Sequence, residues 1–261
     1  MRNIFFCFVL LVFTGCGGSS GSGTAAGEIW QPEPGATWQI QLQGELNTSY
    51  DVQVYDIDLY DTPKAVIDDL HSRGVKVICY FSAGSYENWR SDASEFPEAV
   101  IGKDLDGWEG ESWLDIRNTL TLMPIMDARM DIAAAKGCDA VDPDNVDGYA
   151  NDTGFPLTAS DQLIYNKMLA DSAHERGLAV GLKNDIDQID DLVDFFDFAV
   201  NEQCFYYDEC GSLLPFINTN KAVFGIEYEL EPDEFCDKSI VYGFSTLLMD
   251  QALDGDMYSC R

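Results

Sequence analysis

The sequence predicts an α/β protein of the (β/α)8 barrel class, built as a single domain over residues 28–261. Three observations carry this reading. Short apolar runs alternate with helical patterns, a basic residue followed by glycine closes successive helices, and polar residues gather where the apolar runs stop.

Trp38–Leu42 and Val52–Ile57 open the series as strand candidates. Thr62 then offers an N-cap and Pro63 a first-turn proline, and Ala65, Val66, Ile67 and Leu70 keep an apolar helical face until Arg73 and Gly74 end it. Val75–Phe81 follows as a strand. The same ending recurs at Lys136-Gly137 before Cys138–Asp142, and at Arg176-Gly177 before Leu178–Lys183. The cation favours the negative end of the helix dipole, and glycine takes the left-handed turn. Ahead of Gly177, Ile164, Tyr165, Met168, Leu169 and Ala173 hold helical spacing. Trp113–Ile116, Phe198–Asn201, Ala222–Ile226 and Ile240–Phe244 bring the strand candidates to nine, one more than a barrel holds. The first, the Trp113 segment or the last is therefore expected outside the ring. Alternation of this kind argues for a parallel sheet covered by helices. The number of units favours a closed barrel over an open doubly wound sheet, and no glycine-rich phosphate loop follows the first strand.

Arg2, the apolar run Ile4–Phe13 and the tetrapeptide Phe-Thr-Gly-Cys ending at Cys16 read as a leader, too short to span a bilayer. Residues 1–15 are expected to be a signal peptide. Thr14 and Gly15 before Cys16 resemble the bacterial lipobox, which implies lipidation of Cys16 and an extracytoplasmic place in the bacterial cell envelope. Phe13 stands where that motif favours Leu, so ordinary secretion is the alternative. Residues 16–27 are rich in Gly and Ser and read as a flexible tether. Gly17-x-Ser19-x-Gly21 within it matches a nucleophile elbow by letter only, with no strand before it and no helix after it.

The 46 acidic and 15 basic side chains leave a formal charge of −31, which argues against nucleic acid or anionic lipid as partner. The membrane is expected to be met only through the lipid anchor. A polycation would be attracted, although acidity also keeps an exported protein soluble. A monomer is expected. Apart from Cys7 and Cys16, six cysteines remain in a chain expected to meet oxidising conditions. Cys204 with Cys210, and Cys236 with Cys260, are disulfide candidates, while Cys79 and Cys138, in separate strands, read as buried thiols. No CxxC pair is present and the two histidines, His71 and His174, fall near helix ends, so neither zinc nor any other cofactor is expected.

In a barrel the C-terminal strand ends face one cavity. The residues closing the candidate strands are Asp56 and Asp58, Tyr80 and Ser82, Asp115 and Arg117, Asp142, Asp144 and Asn145, Lys183, Asn184 and Asp185, and Asn201 and Glu202. Carboxylates dominate and histidine is missing. A serine triad and a metal-dependent deacetylase are both disfavoured on that ground, whereas glycoside hydrolysis needs only two carboxyl groups. Period-2 alternation sets Asp142 and Asp144 on the side opposite Asp139 and Val141. A calcium loop is the competing reading of Cys138–Tyr149, but Val146 occupies a ligand position of the EF-hand pattern and no Glu closes it. Asp144 or Asp142, with Glu202, can supply acid and nucleophile. Lys183 would order these carboxylates, and Asp115 with Arg117 also fits a structural ion pair. Trp38, Tyr80, Tyr86, Trp89, Tyr149, Tyr206 and Tyr207 are available to stack on sugar faces or to pack.

Taken together, Trp38–Leu42, Val54–Asp58, Val77–Gly84, Trp113–Arg117, Val141–Tyr149, Gly181–Asn184 and Asn201–Cys204 resemble glycoside hydrolase family 114, the endo-α-1,4-polygalactosaminidases. The resemblance spans nearly the whole domain. It implies a TIM-like barrel that cuts inside α-1,4-linked galactosamine chains, polymers of the kind found in microbial biofilm matrices. It also implies a catalytic Asp in Pro-Asp-Asn, here Asp144, and the Glu of Asn-Glu-Gln, here Glu202; Asp142 stays a rival, since it leaves the same strand with the same parity. Asp56, Asp58, Tyr80, Asp115, Arg117, Asn145, Tyr149, Lys183 and Asn184 are the expected substrate-binding residues. A de-N-acetylated galactosamine chain is cationic, so the acidic groove acquires a partner. The alternatives are a surface lipoprotein that binds such a polymer without cutting it, and a hydrolase of another amino sugar polymer.

Overall fold

The computed structural model describes residues 29–261; the leader, Cys16 and the whole tether lie outside the described residues. Strands β1 (Trp38–Gln41) and β2 (Val54–Asp58) lead through α1 (Lys64–Ser72) to β3 (Lys76–Ser82). Then come β4 (Ser85–Glu87), β5 (Ile101–Asp104), β6 (Glu111–Leu114), α2 (Thr119–Lys136), β7 (Ala140–Asp144), α3 (Ala159–Glu175) and β8 (Ala179–Lys183). The chain ends with α4 (Ile189–Leu192), β9 (Phe198–Glu202), α5 (Leu214–Asn218), β10 (Val223–Glu227), α6 (Pro232–Tyr242), β11 (Ser245–Met249) and β12 (Met257–Ser259).

Nine strands form one curled sheet in the order β1-β2-β3-β7-β8-β9-β10-β11-β12. The first eight are parallel, and β12 runs antiparallel to β11. No β1–β11 ladder is found among the described residues. The two ends are tied instead by the Trp38 indole, which donates to the Ser245 carbonyl at 2.9 Å, and by Leu42 N–H and Gln39 Nε2, which donate to the Leu253 and Gly255 carbonyls.

Parity sorts the side chains. Val54, Ile78, Ala140, Ala179, Phe198, Phe224 and Leu247 meet Trp38 in an inner apolar cluster that draws on all eight parallel strands. The intervening residues, among them Tyr55, Val77, Val141, Val180 and Val223, pack outward against the helices. Space inside is tight. A Cβ on Gly181 would lie 2.5 Å from the Phe198 ring, which is why the inner face of β8 carries glycine there. Further along the inner faces of β2, β7 and β8 stand polar groups: Asp56 above Val54, Asp142 above Ala140, and Lys183 above Gly181.

The Trp113 segment, β6, is the one of the three candidates that lies outside the large sheet: it belongs to a separate antiparallel sheet, β4-β6-β5, inside the crossover from β3 to β7. Its departure makes β3 and β7 neighbours, and Cys79 and Cys138, expected as free thiols, form a disulfide across them. Ile240–Phe244 is not a strand. Pro232 at the first turn and a reciprocal Glu231/Glu234 capping box start α6, and Gly243, at φ 79°, ends it before β11. Local β-branched composition at Ile240 and Val241 lost to a well-capped helix. The helix-ending glycine was the usable signal, since Gly74, Gly137 and Gly177 also hold positive φ. Cys204–Cys210 and Cys236–Cys260 are paired as expected.

Candidate active site

The site forms at the C-terminal ends of β3, β7, β8, β9 and β10. After β7 the chain turns sharply, with Asn145 at φ 60°, a conformation that asparagine tolerates better than most residues. Ala83 and Gly84 N–H both donate to the Asp144 carbonyl, at 2.9 and 3.0 Å. Asn145 Nδ2 donates to Ser82 Oγ at 3.0 Å, which fixes the turn from the β3 side. A Cβ on Gly84 would overlap the Asn145 carbonyl oxygen. Gly84→Ala is therefore expected to displace Asp144 and to lower kcat on the order of 100-fold. Thermal melting would verify that the fold survives, and wild-type kcat in a folded variant would show that the turn yields without moving Asp144.

Asp144 Oδ2 accepts from the Tyr80 hydroxyl at 2.8 Å, and Oδ1 accepts from Asn145 N–H at 2.7 Å. Lys183, 2 % exposed, holds Nζ 3.2 Å from Asp144 Oδ1 and 3.6 Å from Glu202 Oε2. Glu202 is oriented by Asn184, whose Nδ2 donates to Oε2 at 3.1 Å and whose Oδ1 accepts the Glu202 N–H at 2.9 Å. The Tyr228 hydroxyl donates to Glu202 Oε1. Burial alone would lower the Lys183 ammonium's pKa, but the Asp144, Glu202 and Asp142 carboxylates outweigh it and hold it charged. Two carboxyl groups thus flank one buried cation, each with hydroxyl or amide donors of its own. That constellation can place an acid and a nucleophile on opposite sides of a glycosidic bond.

Residues 19–261 match the model of glycoside-hydrolase family GH114. The chain belongs to family GH114. Among solved structures, the GH114 chain is similar to Aspergillus fumigatus Ega3 in complex with galactosamine, at 43 % identity and a TM-score of 0.85, covering 92 % of this chain and 100 % of that one. The glycoside hydrolase domain of PelA from Pseudomonas aeruginosa shares the fold at 12 % identity and a TM-score of 0.67, covering 85 % of this chain and 98 % of that one. An α-galactosidase from Thermus thermophilus shares it more distantly, at 13 % identity and a TM-score of 0.53 over 83 % of this chain and 58 % of that one. No curated protein matches the chain.

Other residues of the GH114 chain singled out from sequence lie elsewhere. Asp142 and Asp56 are fully buried below Asp144. Asp58 is gripped by Arg90 at 2.6 and 3.1 Å and caps the Tyr60 and Asp61 amides, so its oxygens face protein. Asp115 and Arg117 pair with each other at 2.7 and 2.8 Å beside the small antiparallel sheet. Burial, with the charge of Asp185 nearby, raises the Tyr149 hydroxyl to about 12. Trp38 is inner core and Tyr86 packs on Phe96, while Trp89, Tyr206 and Tyr207 are exposed. His71 and His174, in the last turns of α1 and α3, bond Asp139 and Asp197 at 2.8 Å. Sequence reasoning missed Tyr228, although it follows Phe224 and Ile226 on the inner face at the same parity. A hollow of about 470 Å³ lined by Thr37, Val52, Gln53 and Val75 opens at the other end of the strands, away from this cluster.

Around the centre, further carboxyl groups keep their protons to higher pH than an exposed acid does. Burial raises Asp147 to about 6, Glu111 to about 7 and Asp185 to about 8, with Asp147 adding to the rise at Asp185. Unfolded carboxyls titrate near 4, so from about pH 4 to pH 8 the native chain binds more protons than the unfolded one. Stability contributed by these groups is complete below their unfolded values and is lost as pH rises through the native ones. Thermal melting is expected to fall from pH 5 to pH 8, with a shallower slope in Asp185→Asn; an unchanged slope would remove Asp185 from this account.

Proposed function

We propose that this GH114 chain cleaves internal α-1,4 bonds of a galactosamine-containing polysaccharide by a two-carboxylate mechanism. The observation that carries the proposal is Lys183, whose ammonium lies between Asp144 and Glu202. Its two distances keep the bridged carboxyl oxygens within about 6.8 Å of each other, which excludes most of the inverting range and supports retention. In this scheme Asp144, ionised beside Lys183, attacks the anomeric carbon while Glu202 protonates the departing glycosidic oxygen. Glu202 then takes a proton from water, and the resulting attack on the glycosyl-Asp144 ester releases the sugar with its configuration retained.

Substrate charge follows from the surroundings. Asp144 and Glu202 are the partly exposed acids of the centre. With a formal charge of −31 on the whole chain, they favour a polymer that carries ammonium groups. The galactosamine bound by Ega3 is an amino sugar and supports the same class. The inner cluster drawing on all eight parallel strands supports a complete (β/α)8 ring, with β12 and the Leu253–Gly255 segment covering the seam between β11 and β1. The three disulfides and the leader pattern support an exported protein anchored at Cys16.

The test is incubation of the purified domain with partially de-N-acetylated α-1,4-galactosaminan and a count of new reducing ends. Release of internal fragments is the expected outcome. Binding without release would replace the enzyme by a polysaccharide-binding lipoprotein, and release only from another amino sugar polymer would replace the substrate.

A further inference from the structure

Asp56 on β2 and Asp142 on β7 point into the ring from either side of β3, and both are 0 % exposed. Among the described residues no side chain or amide donates to any of the four carboxyl oxygens, and the two carboxyls lie against each other across β3. Two carboxylates in contact within an apolar ring cannot both be ionised, so the contact requires a proton between them. The charged groups that face them are Lys183 from β8, Asp144 from the end of β7 and Glu202 from β9, with the Tyr80 and Tyr228 hydroxyls bound to those two acids.

We propose that Asp56 and Asp142 share one proton and act as a positioning pair, presenting a single negative charge that holds the Lys183 ammonium under Asp144 and Glu202. With both acids ionised, buried negative charge would exceed what one ammonium offsets; with both neutral, Lys183 would lose its counter-charge on the floor side. Asp142 is the member of the pair whose charge acts on the Lys183 ammonium, which makes Asp142 the anion and Asp56 the proton holder. Neither touches solvent, so neither can touch the polymer. The kinetic consequence rests on the glycosidase reading; the shared proton does not.

Asp56→Asn keeps a neutral donor opposite Asp142, whereas Asp142→Asn removes the charge. The infrared difference spectrum of wild type minus Asp56→Asn near pH 7 is expected to contain the carbonyl stretch of a protonated carboxylic acid. Nitrogen-15 titration is expected to find the Lys183 ammonium pKa lowered in Asp142→Asn. On the polymer, Asp142→Asn should lose roughly 30-fold in kcat with KM within about threefold. Asp56→Asn should lose less, and the alkaline limb of its kcat/KM profile should move up by about one pH unit, because the pair can no longer gain a second charge. Absence of the carboxylic-acid band, a Lys183 titration unmoved in folded Asp142→Asn, or an Asp56→Asn profile that superimposes on wild type would each overturn the proposal. Should Asp142→Asn fail to fold, the band and the limb in Asp56→Asn decide. Band and Lys183 shift present in a protein that cuts no polymer would uphold the pair and overturn the glycosidase reading.

Discussion

Asp144→Asn and Glu202→Gln are each expected to lower the release of reducing ends by at least about 1,000-fold while the protein stays folded. Both changes keep shape. In Asp144→Asn the amide oxygen still accepts from Asn145 N–H and Lys183, and the Tyr80 hydroxyl, which now donates at 2.8 Å, can turn its hydrogen away and accept from the new amide. What disappears is a carboxylate able to form the glycosyl ester. In Glu202→Gln the Asn184 and Tyr228 contacts have acceptors left, but the transferable proton is gone. The two losses differ in how they respond to rescue. Azide should restore turnover to Asp144→Gly with inversion to a β-glycosyl azide, and a substrate with an activated leaving group should partly restore Glu202→Gln. Undiminished activity in either conservative variant would sink that residue's role. A β-configured first product from wild type would sink retention.

Lys183→Met is expected to cost both activity and stability. Removal of one partner from a buried ion pair typically costs 3–5 kcal/mol, and here Asp144 and Glu202, 18 % and 26 % exposed, would lose their shared cation. The negative charge left without its cation costs most where carboxylates are ionised, so the destabilisation grows from pH 5 to pH 8. Activity should fall at least about 100-fold, and the remaining pH–rate profile should change, since the buried positive charge no longer acts on nucleophile and acid. Lys183→Arg should not restore it, because a planar fork does not fit a gap made for a point charge between two oxygens. Denaturant unfolding at the two pH values measures the first effect and kcat/KM profiles the second. A Lys183→Met profile superimposed on wild type would remove Lys183 from the chemistry.

Much of this was legible in the sequence where the cause is local. Gly74, Gly137 and Gly177 marked helix ends because a left-handed residue is a one-residue property, and seven of the eight parallel strands follow from such punctuation and from apolar runs. The eighth, β11, was misassigned to Ile240–Phe244, where β-branched residues outweighed the capping signals of α6. Cys79 and Cys138 looked unrelated until β6 left the ring and made their strands neighbours. Asp58 looked like a site residue from its strand end, and only Arg90, from the loop after β4, shows what occupies it.

By itself the sequence determined which side chains share a face: the two-residue period put Asp142 and Asp144 on the inner side of one strand, and Lys183 and Glu202 on the inner sides of theirs. Height above the apolar floor was decided by tertiary structure alone. Asp144 meets Tyr80 and Lys183 at the rim, whereas Asp142, one step lower at the same parity, meets Asp56 in the interior. Burial is a property of the whole ring of strands, supplied by segments far apart in the chain. A strand specifies where a carboxyl group points, and its neighbours across the ring specify whether it finds water, a cation or another acid.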